Sequence, residues 1–152
     1  MIYHLLILAN VVALSLLVGG LFFVNMAVAP TFTALSTGRY AEFHHVLDKY
    51  SDPLMPVLTF GTALLALPEV FFAQPLWQLV SRLLGIACVL GVALTSILVH
   101  GPVNRRIRTW QPETQLEHLA EMRSTWVAGH RFRTALALLG LLALVLPVVF
   151  SF

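Results

Sequence analysis

Charge is scarce in this sequence: Asp, Glu, Lys and Arg make up 11% of its 152 residues, against 59% hydrophobic ones. The mean hydropathy is +0.86. A water-facing domain carries about a quarter charged residues, so a soluble fold is excluded. Cysteine is nearly absent. Cys88 stands alone inside an apolar stretch, which excludes an intrachain disulfide and a Cys-based metal site and leaves the redox compartment unread. The formal net charge is only +2, and the basic residues form no run with interleaved aromatics, so nucleic acid is excluded as a partner. No Lys or Arg precedes the first apolar run, and Pro30 would follow a cut after Ala27-Val28-Ala29. The run therefore reads as a retained span, not a leader.

What the chain does contain is four long apolar runs, over residues 5–29, 54–72, 83–99 and 132–152. Each is long enough to cross hydrocarbon as a helix. Pro30, Pro53 with Pro56, Pro75, and Gly101 with Pro102 are expected to punctuate the ends. The expected fold is all-α: one integral membrane domain over residues 1–152, an antiparallel four-helix bundle with working loops at 30–53 and 100–131. Within the first loop Tyr40, Phe43, Leu47 and Tyr50 recur at helical spacing, which predicts an amphipathic interfacial helix from about Ser36 to Tyr50. In the second, Pro112 suits a first helical position with Glu113 in the first turn, so the fourth helix is expected to begin in water near Pro112.

Arg39, Lys49, Arg105, Arg106, Arg108, Arg123, Arg131 and Arg133 fall on one side of this topology and only Arg82 near the other, a split of eight against one. The positive-inside rule places the two working loops in the cytoplasm and both termini outside, across the plasma (inner) membrane. Ala87, Gly91 and Thr95 form a small-residue stripe, and Gly19 with Gly20 allows close approach on the first span. Association into a homo-oligomer is compatible with such surfaces. Glu69 lies near the outer end of the second span, where Arg82 or His4 could pair with it, a structural reading preferred over proton handling.

The candidate chemistry lies at the basic end. His44 falls next to the apolar side of the interfacial helix, and His100 follows Ser96 by one turn, before a sharp exit at Gly101, Pro102 and Asn104. Arg123, Trp126, His130 and Arg133 recur at three- and four-residue spacing and so share a helix face. His45, His118 and Arg108 read as interfacial groups reaching lipid phosphate. His44, His100 and His130 come from three elements brought to one depth, and are the alternative haem or metal ligands. No HxxxH pair occurs to strengthen a metal reading.

GGLFF at Gly19–Phe23, then Pro30 and Tyr40, PVNRRIRTW at Pro102–Trp110 and WVAGHRFRT at Trp126–Thr134 together resemble the anthrone-oxygenase-like family of small four-span membrane proteins. The resemblance covers nearly the whole chain and implies functional weight for Pro102, Asn104, Trp126, His130, Arg133 and Thr134. The four-span arrangement is also similar to haem-binding protoporphyrinogen oxidases and copper-resistance membrane domains.

Three functions are open at this point. One is a cofactor-free oxygenase for an apolar phenolic or quinone-like substrate drawn from the membrane. There His130 would be the base, Arg133 and Asn104 would stabilise the oxyanion, and Trp126 with Tyr40 would form a flat wall, with Pro102 and Thr134 beside the substrate. The second binds haem, copper or iron through His44, His100 or His130. The third is a non-catalytic subunit whose arginines grip membrane lipids.

Overall fold

The computed structural model describes residues 2–51, 53–73, 75–111 and 118–150, and these are almost entirely helical. In chain order the elements are α1 (Ile2–Phe23), a π-helical turn (Val24–Val28), α2 (Ala29–Ala34), α3 (Thr37–Ser51) and α4 (Leu54–Ala66). A 3₁₀ turn (Pro68–Phe72), α5 (Leu76–Thr95), a second π-helical turn (Ser96–His100), α6 (Gly101–Arg108) and α7 (Leu119–Val149) complete them.

Four helical runs are long and apolar enough to cross a membrane: Ile2–Ala34, Leu54–Phe72, Leu76–Arg108 and Leu119–Val149. They pack in ring order, α1 on α4, α4 on α5, α5 on α7 and α7 on α1. The exposed large residues, such as Leu8, Leu64, Phe71, Leu94 and Leu142, face outward from this ring, as side chains that meet lipid should.

Two prolines expected to end spans do not. Pro30 and Pro102 each sit second in a short α-helix entered through a π-helical turn. Inside a helix the proline ring collides with a carbonyl four residues back and removes a donor; one wider turn just upstream relieves the collision and lets the run continue. The first and third spans thus extend to Ala34 and Arg108 instead of ending near residues 29 and 99. The sharp exit read at Gly101-Pro102 is absent, and the π turn holds Ser96 and His100 instead. The fourth helix is described from Leu119, well ahead of residue 132, while Pro112 and Glu113 lie outside the described residues.

The helix between the first two spans forms where expected, but its inward face is different. Tyr40, Ala41, His44 and Asp48 are buried, while Phe43 and Tyr50 are exposed. Exposed aromatics cost little at a membrane surface, and the buried polar pair is compensated by partners described below. α3 lies across the basic end of the bundle, against α2, α4, α6 and α7.

The closest helix approach also differs from the expected stripe. A Cβ on Gly85 would meet Leu144 Cγ at 2.5 Å, and one on Gly140 would meet Cys88 Cβ at 3.2 Å, so α5 and α7 touch through these two glycines. Gly91 does pack on Leu136, but Ala87 is exposed and Gly19 has open space. At the end away from the basic loops, Glu69 is tied into the bundle. Arg82 donates to its Oε2 at 2.6 Å, Asn10 donates to its Oε1 at 2.8 Å, and Arg82 also donates to the Tyr3 hydroxyl at 2.7 Å. Of the two expected partners, Arg82 is the one that pairs with Glu69.

Candidate functional site

Six rings from four elements meet beneath α3. Trp126 of α7 is central. His130, one turn on, stacks on it with centroids 5.1 Å apart and planes 12° apart. His44 meets Trp126 edge-on at 5.0 Å and His100 does so at 5.3 Å, and Phe32 packs against Trp126, His44 and Tyr40 at 5.0–5.1 Å. His100 and His130 are 6.0 Å apart by centroid. The α7 spacing that puts Trp126, His130 and Arg133 on one face, together with the π turn at His100, brings these groups to one depth.

Hydrogen bonds fix what each imidazole offers, because a carbonyl oxygen only accepts. His130 Nε2 donates to the Leu21 carbonyl at 3.0 Å, and its Nδ1 receives Arg133 at 2.8 and 3.1 Å. His44 Nε2 donates to Asn104 Oδ1 at 3.3 Å, and its Nδ1 accepts the Tyr40 hydroxyl at 2.9 Å. Both rings are thereby neutral with no lone pair left over. His100 differs. Its Nδ1 is 3.4 Å from the Thr95 carbonyl, which assigns the proton to Nδ1, while its buried Nε2 has no hydrogen-bond partner.

Asn104 joins the elements. Its Oδ1 also accepts the indole N–H of Trp126 at 3.2 Å, and its Nδ2 donates to Asp48 Oδ1. Asp48 in turn receives Arg108 Nε at 2.5 Å on Oδ2. A chain of donors thus runs from Tyr40 through His44 and Asn104 to a buried carboxylate. Burial of the His44 ring lowers its pKa from 6.5 to about 4, against the opposing pull of Asn104 and the Asp48 charge. Burial likewise raises the Tyr40 phenol well above its ordinary value, with Arg123 opposing.

Beside this network lies a cavity of about 290 Å³. His44, Asp48, Asn104, His100, Trp126 and Arg133 form its polar wall. Arg133 reaches it with Nη1 donating to Ser96 Oγ at 3.2 Å. That volume is near the low end for ligand pockets.

Of the residues singled out from sequence, Asn104, Trp126, Arg133, His44 and His100 line the cavity. His130 does not: fully buried, it stands behind Trp126 and holds Arg133. Tyr40 is also fully buried and lies behind His44, so it is no part of a flat wall. Thr134 bonds its own helix at His130 O and faces Leu21 of α1. Pro102 serves the helix path. Arg123 donates to the carbonyls of Phe32 and Leu35 at 3.0 and 2.9 Å, closing the end of α2. Arg108 pairs with Asp48, where a lipid phosphate contact was expected.

Asp48 was not among the candidate residues. Its signal was the series Tyr40, His44, Asp48, spaced by four along one helix face. As for a metal, His44 and His130 have both nitrogens engaged by the protein. Among the described residues no group of three or more His, Cys, Asp or Glu side chains is arranged to hold a metal ion.

The family model for anthrone oxygenase matches residues 43–143, which take in every polar residue of the cavity wall. No curated protein and no solved structure matches the chain.

Proposed function

Because the chain belongs to the anthrone oxygenase family, we propose that it oxygenates a flat, apolar phenol of the anthrone type with dioxygen, at the cavity under α3 and without a cofactor. The observation that carries this reading is a cavity lined by His100, whose buried Nε2 has no hydrogen-bond partner, and by the Arg133 guanidinium. His100, in place of His130, is then the base. His130 already gives its lone pair to Arg133 and is the positioning residue behind it.

The reaction balances with the substrate as the only reductant. His100 Nε2 takes a proton from a methylene flanked by two arenes, and the electron pair delocalises onto the ring oxygen, where Arg133 offsets the charge. The carbanion passes one electron to dioxygen, and the resulting radical and superoxide combine into a C–O–O⁻ bond. The imidazolium returns its proton to give the hydroperoxide. Loss of the second C–H proton with cleavage of the O–O bond leaves a carbonyl and water, so CH₂ and O₂ become C=O and H₂O. Trp126 supplies a flat face for the arene, and Asn104 holds that indole in place. The basic flanks of the cavity favour a cytoplasmic location by the positive-inside rule, which would put it within reach of substrate dissolved in that leaflet.

The test is oxygen uptake and quinone formation by protein purified in detergent, above the uncatalysed rate. His100→Ala should lower turnover by about 10²–10⁴-fold, the usual contribution of a positioned base. Turnover retained in His100→Ala, or none above background in the wild type, rejects the reading.

A further inference from the structure

The cavity has a second wall, and its composition bears on how a substrate gets in. Met55, Pro56 and Phe60 of α4 and Ile97 of the π turn line it opposite the polar groups. Phe60 and Ile97 are at the same time 54% and 58% exposed, so each side chain touches both the cavity and the outside of the bundle. Phe60 lies six residues into α4, about 9 Å along the helix from its start, and so within the depth of the hydrocarbon. We infer that the substrate reaches the cavity sideways from the lipid, through a gap between the second and third spans framed by Phe60 and Ile97. This rests on the reading of the cavity as an oxygenase site.

A second, apolar groove opens between α5 and α7 but shares no lining residue with the cavity, and the remaining approaches are closed or polar. α5 and α7 are in contact at Gly85 with Gly140, and Val99 fills the space beside Gly129. α1 meets α4 where Met55 Cε lies 3.1 Å from a Cβ position on Gly20. Across the basic end, α3 is locked to α6 by Asp48 with Arg108 and Asn104. The rival route is aqueous and runs past Ser51 and Arg105, which also line the cavity. An apolar phenol concentrates in the bilayer, not in that water. At the gap itself nothing polar is left to face lipid. The hydroxyls of Thr59 and Ser96 both donate to carbonyls of their own helices, at Met55 and Val92, at 2.8 Å.

The experiment follows Trp126 fluorescence in the full chain in phosphatidylcholine vesicles, with Trp77→Phe and Trp110→Phe leaving it the sole tryptophan. A brominated tert-butylphenol preloaded into acceptor-matched vesicles serves as quencher. Narrowing the gap with Ile97→Phe should slow quenching several-fold, and widening it with Phe60→Ala should speed it. Arg105→Phe, at the aqueous mouth, should leave the rate unchanged. If Arg105→Phe slows quenching and Ile97→Phe does not, or if neither does, the lateral route is wrong. Quenching that depends on Ile97 in a protein without turnover would keep the route and reject the oxygenase. A wild type that is never quenched would reject both.

Discussion

Hydrogen-bond direction separates three histidines that look alike in sequence. His44 and His130 each give one nitrogen to an acceptor and receive a donor on the other, so they hold neighbours in place; His100 keeps a lone pair. Replacing His130 by Ala should therefore lower stability and turnover together, because the Leu21 carbonyl and Arg133 both lose a buried partner, at about 1–3 kcal/mol. Thermal unfolding and oxygen uptake on one preparation check this; lost turnover with intact stability would return the base to His130. His44 makes a pH prediction. With its folded pKa at about 4 against 6.5, an unfolded chain takes up a proton between these values that the folded site refuses. Stability should then be flat above pH 6.5, fall by about 3 kcal/mol toward pH 4 and flatten below it. The difference between wild type and His44→Phe in unfolding across that range isolates the effect from carboxylates titrating nearby. A difference that does not change with pH would contradict it.

At the scale of elements, two π turns and two glycines set the geometry. Each π turn absorbs a proline, and the second places Ser96 and His100 beside Arg133. Gly85 and Gly140 bring α5 and α7 together at one end, and Gly129 leaves room for Val99 and His100 nearer the other. Adding one methyl at Gly85 drives it into Leu144 Cγ at 2.5 Å and the Gly140 carbonyl at 3.3 Å. Gly85→Ala should destabilise by about 1–3 kcal/mol through overpacking. Gly19→Ala meets nothing within 4 Å and should be neutral or stabilising by up to about 1 kcal/mol, since a helix interior prefers Ala. Thermal unfolding of the two variants in one detergent measures the contrast, and equal effects would place the close contact elsewhere.

For the whole molecule, four apolar helices and a heavy excess of basic residues at one end predict an orientation. Single cysteines at Thr109 and near the amino terminus at Tyr3, in a Cys88→Ala background, should differ in intact cells. An impermeant thiol reagent should label the Tyr3 site and spare the Thr109 site. Equal labelling would reverse or abolish the assigned topology. In that orientation the cavity, its polar wall and the α3 cover would belong to the cytoplasmic half of the bundle, and the Tyr3–Arg82–Glu69 cluster to the other.

Sequence alone determined the four apolar helices, the helix across the basic end and the face shared by Trp126, His130 and Arg133, because apolar length and helical spacing act locally. Trp126, His130 and Arg133 had to share a face once α7 was a helix. Which of them faces the cavity was not local. It depends on Leu21, from a helix more than a hundred residues earlier in the chain, offering a carbonyl to His130, and on Asn104 offering its oxygen to His44 and Trp126. Asp48 takes its role from Asn104 and Arg108, which lie on α6, and no periodicity connects them. Pro30 and Pro102 looked like span ends because a proline forbids an ordinary α turn, whereas a widened turn held by neighbouring helices permits the run to continue. Tertiary packing decided these points, since hydrogen-bond partners and space are properties of several elements at once.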